Sequence, residues 1–312
     1  MENTIEIKNV TKKFGDFTAV NDLTLNVPKG SIYGFIGPNG SGKTTTLRML
    51  MNIIYQDSGD IHIFGEKYKQ SFKDRIGYLP EERGLYKSMK VRELLHFFGK
   101  LKNGKNILAE ADKWLKKLDL YNWRDEKVET LSKGMGQKIQ FIASVVTSPE
   151  LIILDEPFSG LDPVNRDVMK DAVLELKESG TTVIFSTHDM DIAEKMCDYV
   201  FMIYKGKKVL DGTLDSIKNN YGTDIIKIMS EGGLQVLKEV QNEIKGIENI
   251  NDFGHIQEIR IEKTCNPQNI LRSLIEKTAV SRFEISQPSL HDIFVRIAKP
   301  VVENDGEVKN AG

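Results

Sequence analysis

The sequence predicts an α/β fold built on a parallel sheet, followed by a smaller α+β unit. Three observations predict it. Between residues 151 and 204, apolar strand-like runs alternate with helical stretches. An apolar run at 31–36 passes through a glycine-rich turn into residues with helical spacing. A second rhythm, β-α-β-β-α-β, starts near Tyr221.

Each element follows from its pattern. Residues 5–10 and 23–27 cluster or alternate apolar side chains, as short strands do. After the glycine-rich turn, Leu47, Leu50, Met51 and Ile54 recur at helical spacing. Asp57-Ser58-Gly59 signals a turn before the alternating Ile61 and Ile63. From about 91 to 148 the pattern is helical, with Leu94, Leu95, Phe98 and Leu101, then Ala111, Leu115 and Leu118. Strands at 151–154, 182–186 and 199–204 then enclose helices at 164–178 and 190–196. In the second rhythm, strands are expected at 225–229, 247–253, 256–261 and 280–285. Helices are expected at 234–244 and 267–277, the latter with Pro267 in its first turn, and a closing helix at 290–297. That order is the split-βαβ, ferredoxin-like one. The polar segment 299–312 reads as a disordered tail.

Composition narrows the function classes. A chain of 312 residues suggests two domains at about 150 residues each. An apolar fraction of 40% supports a packed core. Lys and Arg number 43 against 45 Asp and Glu, a net charge of −2, which argues against a nucleic-acid binder working through a bulk basic field. Cys197 and Cys265 are the only cysteines, so no disulfide framework is implied. The N-terminus lacks the apolar core of a signal peptide, and no run approaches the about 18 apolar residues of a membrane span. The chain is therefore expected not to insert in a membrane itself.

Gly37-Pro38-Asn39-Gly40-Ser41-Gly42-Lys43-Thr44 fits G-x-x-x-x-G-K-[ST]. Glycines let successive backbone N–H groups point at phosphate oxygens, and the following helix offers its positive end to the same charge. Lys43 would reach the β- and γ-phosphates, and the Thr44 hydroxyl would ligate Mg²⁺. The apolar run 151–154 ends in Asp155 and Glu156. Paired with a phosphate loop, Asp155 would hold Mg²⁺ and Glu156 would orient and polarise an attacking water. His188 ends another strand, at the sheet edge where ligands bind in open α/β folds. His62, His96, His255 and His291 read as structural. Leu131-Ser132-Lys133-Gly134-Met135-Gly136-Gln137-Lys138 precedes an apolar helix, with Ser132 as its N-cap. It forms a second anion-binding helix terminus.

These motifs resemble the ATP-binding cassette (ABC) ATPases over roughly residues 3–215. The resemblance implies a P-loop NTPase cassette: a mixed sheet core with a helical insert at about 88–148. Phe14 is similar to the aromatic residue that stacks on adenine, and residues 37–45, ending in Thr45, to the phosphate loop. Residues 131–138 resemble the signature LSGGQ-x-Q-R, which implies that Ser132, Lys133 and Gly134 meet the ATP of an opposite subunit. Asp155 and Glu156 match the Mg²⁺ aspartate and the catalytic glutamate. Ser159-Gly160-Leu161-Asp162 resembles the D-loop, and Ser186-Thr187-His188 the switch histidine. Two positions depart. Glu81 stands where the family has a glutamine, and its carboxylate would repel a γ-phosphate while binding Mg²⁺ more strongly. Lys133 and Met135 replace glycine and glutamine, and a cation at a helix N-terminus opposes the dipole.

The resemblance implies two cassettes closing head to tail around ATP, as a homodimer or with a paired ATPase subunit. It also implies a separate multi-span permease, docked near 81–98, where Leu85, Tyr86 and Met89 suit a contact surface or simple core packing. The chain would then lie in the cytoplasm, peripheral on the inner face of the cell membrane. Residues 221–298 resemble the C-terminal extension of export-type ABC ATPases, with Pro288-Ser289-Leu290-His291-Asp292-Ile293-Phe294 as its closing motif. This favours an exporter. Two rivals stay open: a soluble ABC ATPase acting on ribosomes or DNA, and a regulatory cassette that binds ATP without hydrolysing it. On this reading the domains are 1–220, 221–298 and the tail.

Overall fold

The computed structural model describes residues 2–82, 84–102, 107–221, 225–262 and 264–298. The segment 299–312, with its expected disorder, lies outside the described residues. The chain divides into two compact units, Met1–Leu214 and Asp215–Gly312.

The first unit opens with a long antiparallel pair, β1 (Asn3–Phe14) and β2 (Phe17–Pro28). Both strands run well beyond the short apolar segments that predict them, because their ends are polar and half-exposed. β3 (Ile32–Ile36) is buried at every residue and leads into α1 (Lys43–Leu50). β4 (Ser58–Ile63) and the short β5 (Glu66–Lys67) complete an antiparallel sheet of order β2-β1-β4-β5. β6 (Ile76–Leu79) comes next, followed by the insert helices α2 (Val91–Leu101), α3 (Ile107–Lys117) and α4 (Lys133–Val145). β7 (Leu151–Asp155), α5 (Pro163–Glu178), β8 (Thr182–Thr187), α6 (Met190–Met196), β9 (Tyr199–Tyr204) and β10 (Lys207–Thr213) close the unit.

The central sheet runs β10-β9-β3-β8-β7-β6. Its β9, β3, β8, β7 and β6 pair in parallel, and β10 is antiparallel at the edge. Parallel strands covered on both faces read as continuous apolar runs, so β3, β7 and β8 were visible in the sequence. Successive residues of these strands serve different cores. Ile152, Leu154, Val183 and Phe185 pack with the insert helices. Tyr33, Phe35, Leu151, Ile153 and Ile184 pack with α1 and the antiparallel sheet.

Lys102 fixes the end of α2 by donating to the Ile76 carbonyl at 2.5 Å. Burial pulls its ammonium down from the usual 10.5 to about 8, against a weaker opposing pull from Asp74. Between those two values the unfolded chain binds the extra proton, so this group adds stability as pH rises through the window. Across it, wild type is expected to gain melting temperature relative to Lys102→Met. A constant difference between the two proteins would contradict this.

The second unit follows α7 (Leu214–Tyr221). It comprises β11 (Ile225–Ser230), α8 (Gly233–Glu243), β12 (Ile247–Asp252), β13 (Gln257–Ile261), α9 (Pro267–Lys277), β14 (Val280–Ser286) and α10 (Leu290–Ala298). Its sheet order is β12-β13-β11-β14, antiparallel throughout. Counting from β11, this is order 2-3-1-4, the split-βαβ arrangement. Ile226, Ile228, Leu237, Val240, Ile259, Ile270 and Leu274 form its core.

Candidate functional site

Four adjacent strands end at one edge of the central sheet, and each delivers a motif. In the register, Ile36 pairs with Thr187, Asp155 with Ser186 and Leu79 with Leu154. The loop after β3, the carboxylates of β7, His188 after β8 and Glu81 after β6 therefore share this edge. Carboxyl ends of parallel strands are where open α/β sheets bind ligands.

The loop from Gly37 to Gly42 turns tightly onto the N-terminus of α1. Gly37 and Gly42 have φ of +149° and +113°. A Cβ at Gly37 would lie 2.3 Å from the Ile203 carbonyl oxygen, and one at Gly42 would lie 2.5 Å from that of Ala19. Glycine is required at both places. The amide of Ser41 donates to the Pro38 carbonyl at 3.2 Å. Lys43, 6% exposed, donates its Nζ to the carbonyls of Gly37 at 2.7 Å and Pro38 at 3.1 Å. Burial lowers its pKa, and the carboxylates of Glu156, Asp155 and Glu81 oppose that shift.

Asp155 is 1% exposed. Its Oδ1 accepts from Ser186 Oγ at 2.5 Å and from Thr44 Oγ1 at 3.3 Å. Its Oδ2 is buried and has no hydrogen-bond partner, and neither has the Ser41 hydroxyl in the loop. A buried carboxylate oxygen left bare is costly unless a cation or donor reaches it. Ser186 Oγ also accepts from the Glu156 amide at 3.1 Å, which ties β7 to β8. Glu156 has φ of +50°, a left-handed backbone that costs a residue of this type about 1–3 kcal/mol. Its side chain is 10% exposed and sets Oε1 3.0 Å from Nδ1 of His188, whose own side chain is 58% exposed.

A cleft of about 420 Å³ opens onto these groups, lined by Phe14, Phe17, Asn39, Gly40, Lys43, Thr44, Thr45, Glu81 and Glu156 among others. Phe14 is half-exposed, with the Lys12 ammonium 5.4 Å from its ring centroid. Phe17, across the β1–β2 turn, was not singled out in the sequence, yet its ring lines the same wall.

Ser132, Lys133 and Gly134 do not line this cleft. Ser132 caps α4 by accepting from the Met135 amide at 3.3 Å. Space is open beside Gly134, where a Cβ would meet only Leu161 at 3.5 Å. Asp162 caps α5, accepting from the Asn165 amide at 3.0 Å, which holds its carboxyl below the usual carboxylate range. Three further residues of α4 hold neighbouring segments in place. Gln137 donates to the Pro157 carbonyl at 3.2 Å. Lys138 donates to Leu118 O and Asn165 Oδ1, both at 2.8 Å. Gln140 donates to the carbonyls of Pro80 at 3.5 Å and Glu82 at 3.2 Å, bracketing Glu81. Of the three, only Gln140 falls in the apolar run that follows the 131–138 motif.

Comparison with known proteins fits this geometry. A profile described as "ABC transporter" matches residues 20–159. One described as "ATP-binding protein DrrA1-3-like, C-terminal domain" matches residues 212–298. The chain is 40% identical to the uncharacterized ABC transporter ATP-binding protein YhaQ of Bacillus subtilis (strain 168), over 96% of this chain and 100% of that one. The chain belongs to the ABC transporter ATP-binding proteins. This ABC ATPase is also 36% identical to Nod factor export ATP-binding protein I of Burkholderia lata, over 72% of this chain and 76% of that one. The solved ATP-binding subunit of an ABC transporter superposes on the cassette with a TM-score of 0.65 at 28% identity, covering 70% of this chain and 93% of that one. The central sheet is thus that of an ABC cassette. No helix among the described residues is long and apolar enough to cross a membrane.

Proposed function

We propose that this chain hydrolyses ATP, with Mg²⁺, to drive export through a separate membrane permease. The observation that carries the reading is the bare Asp155 Oδ2 beside the Thr44 hydroxyl, together with the Glu156–His188 contact, behind a cleft that Thr44 and Glu156 line. One carboxylate and one hydroxyl suit Mg²⁺, which takes few protein ligands and completes its shell with phosphate oxygens and water. When bound, the ion would supply positive charge to the phosphates. Loop amides and Lys43 hold the triphosphate, and Phe14 and Phe17 offer faces to the base. Glu156 Oε1 accepts a proton from the attacking water, and His188 fixes the direction of that carboxylate.

The capped N-terminus of α4, with its space beside Gly134, lies off the cleft of its own chain. That supports head-to-tail pairing of two cassettes, in which Ser132, Lys133 and Gly134 face the ATP of the other. Export is favoured by the export-named relative and by the C-terminal match at 212–298.

The insert supplies the permease contact. Leu85 and Met89 are half-buried against the insert core, so two of the three sequence candidates serve packing. Tyr86 stays 54% exposed and meets Phe97 edge-on at 5.6 Å, with Phe98 beside both. An exposed aromatic cluster suits a protein contact. Wild type is expected in the membrane fraction with a multi-span subunit, and Tyr86→Ser with Phe97→Ser is expected to lose it. Recovery with ribosomes or DNA instead, or undiminished membrane capture of the double variant, would refute this placement.

A further inference from the structure

We propose that β14 is a self-pairing edge through which two copies of this chain join their C-terminal units into one continuous antiparallel sheet. β14 ends the sheet, and among the described residues no strand pairs with its other side. An edge strand with free N–H and C=O groups templates a further strand unless it is blunted. The opposite edge, β12, is blunted. It is bulged near Asn249 and carries charge of one sign, Glu248 and Asp252. β14 has neither device over most of its length. It contains no Pro or Lys, and its one irregularity lies at the Val280 end.

The sequence of β14 is complementary to itself. In an antiparallel pair centred on Phe283, Arg282 stands opposite Glu284 of the partner subunit, and the reverse pair repeats it. Phe283 faces its own copy, and Ser281 stands opposite the second Ile285. The contact is isologous and closes at two chains. Opposite charges directly across strands stabilise a pair and like charges destabilise it. In a single chain Arg282 and Glu284 pair with each other, both side chains 45% exposed, so joining exchanges one ion partner for another. Apolar surface flanks the same edge. α9 and β14 form a groove lined by Leu271, Ile275, Val280 and Phe283. Ile275 is 61% exposed, and Ile285, on the edge strand itself, is 43% exposed.

The test is sedimentation velocity on the full chain without nucleotide. These conditions remove the ATP-held contact, so failure here leaves the ATPase reading intact. Wild type should sediment as a dimer. Arg282→Glu and Glu284→Arg should each shift to monomer, since each sets like charges opposite. The double variant Arg282→Glu/Glu284→Arg should return to dimer, and so should an equal mixture of the two single variants. Rescue in the mixture also shows that both single variants are folded. A monomeric wild type, single variants as dimeric as wild type, or a mixture that stays monomeric would each overturn the proposal.

Discussion

Glu156→Gln is expected to abolish steady-state phosphate release while leaving ATP binding in place. The substitution keeps the shape of the side chain and its reach toward His188, 3.0 Å away in wild type. It removes the one property that general-base catalysis needs, the capacity to accept a proton. Loss of a positioned base costs about 10²–10⁴-fold in rate. The fold should tolerate the change, because the left-handed backbone at φ +50° is already adopted by a residue of the same length. Steady-state phosphate release and nucleotide affinity should be measured on both proteins. Equal release would sink the hydrolysis reading and favour a cassette that only binds.

Lys43→Ala is the second large effect. Among the described residues the ammonium is the one cation in the cleft lining, and it sits in the field of Glu156, Asp155 and Glu81. Removing it leaves those carboxylates facing a polyphosphate without a counter-charge. A charge-assisted hydrogen bond is about twice as strong as a neutral one, and this site makes it in a part-buried setting. Nucleotide affinity should fall at least about tenfold, the equivalent of 1.4 kcal/mol, and turnover should fall with it. Near-normal ATPase activity would mean that another group holds the phosphates. Retained cooperative unfolding would show that the loss is local, since Lys43 also bridges the loop through Gly37 and Pro38.

Most of this site was legible in the sequence, for a physical reason. Phosphate binding by backbone amides demands glycines at fixed spacing, and buried parallel strands demand unbroken apolar runs. Both leave marks in the residue order. What was hidden depends on how elements pair and pack. Phe17 lies outside the 23–27 run that predicts β2, and the β1–β2 turn sets it opposite Phe14. Gln140 is an amide within an apolar run, and only packing of α4 beside β6 reveals its carbonyl partners. Tyr86 could not be separated from Leu85 and Met89 by composition, because all three suit either a core or a contact. Asp162 is spent on the cap of α5, a local role common to Asp-Pro sequences at helix starts. The sheet order of the second unit was within reach of pattern reading because six short elements in sequence allow few right-handed arrangements.

The phosphate loop has a thermodynamic consequence. Its backbone is pinned on two sides by close carbonyls, and Lys43 already spans its mouth. The glycines at 37 and 42 therefore have little conformational freedom to lose. A phosphate bound here would draw the Lys43 ammonium from its two carbonyl acceptors. Binding at this end of the cleft thus loses little conformational entropy. Calorimetry should register the nucleotide as a rigid-receptor ligand, with a small heat-capacity change and an affinity that reports electrostatics directly.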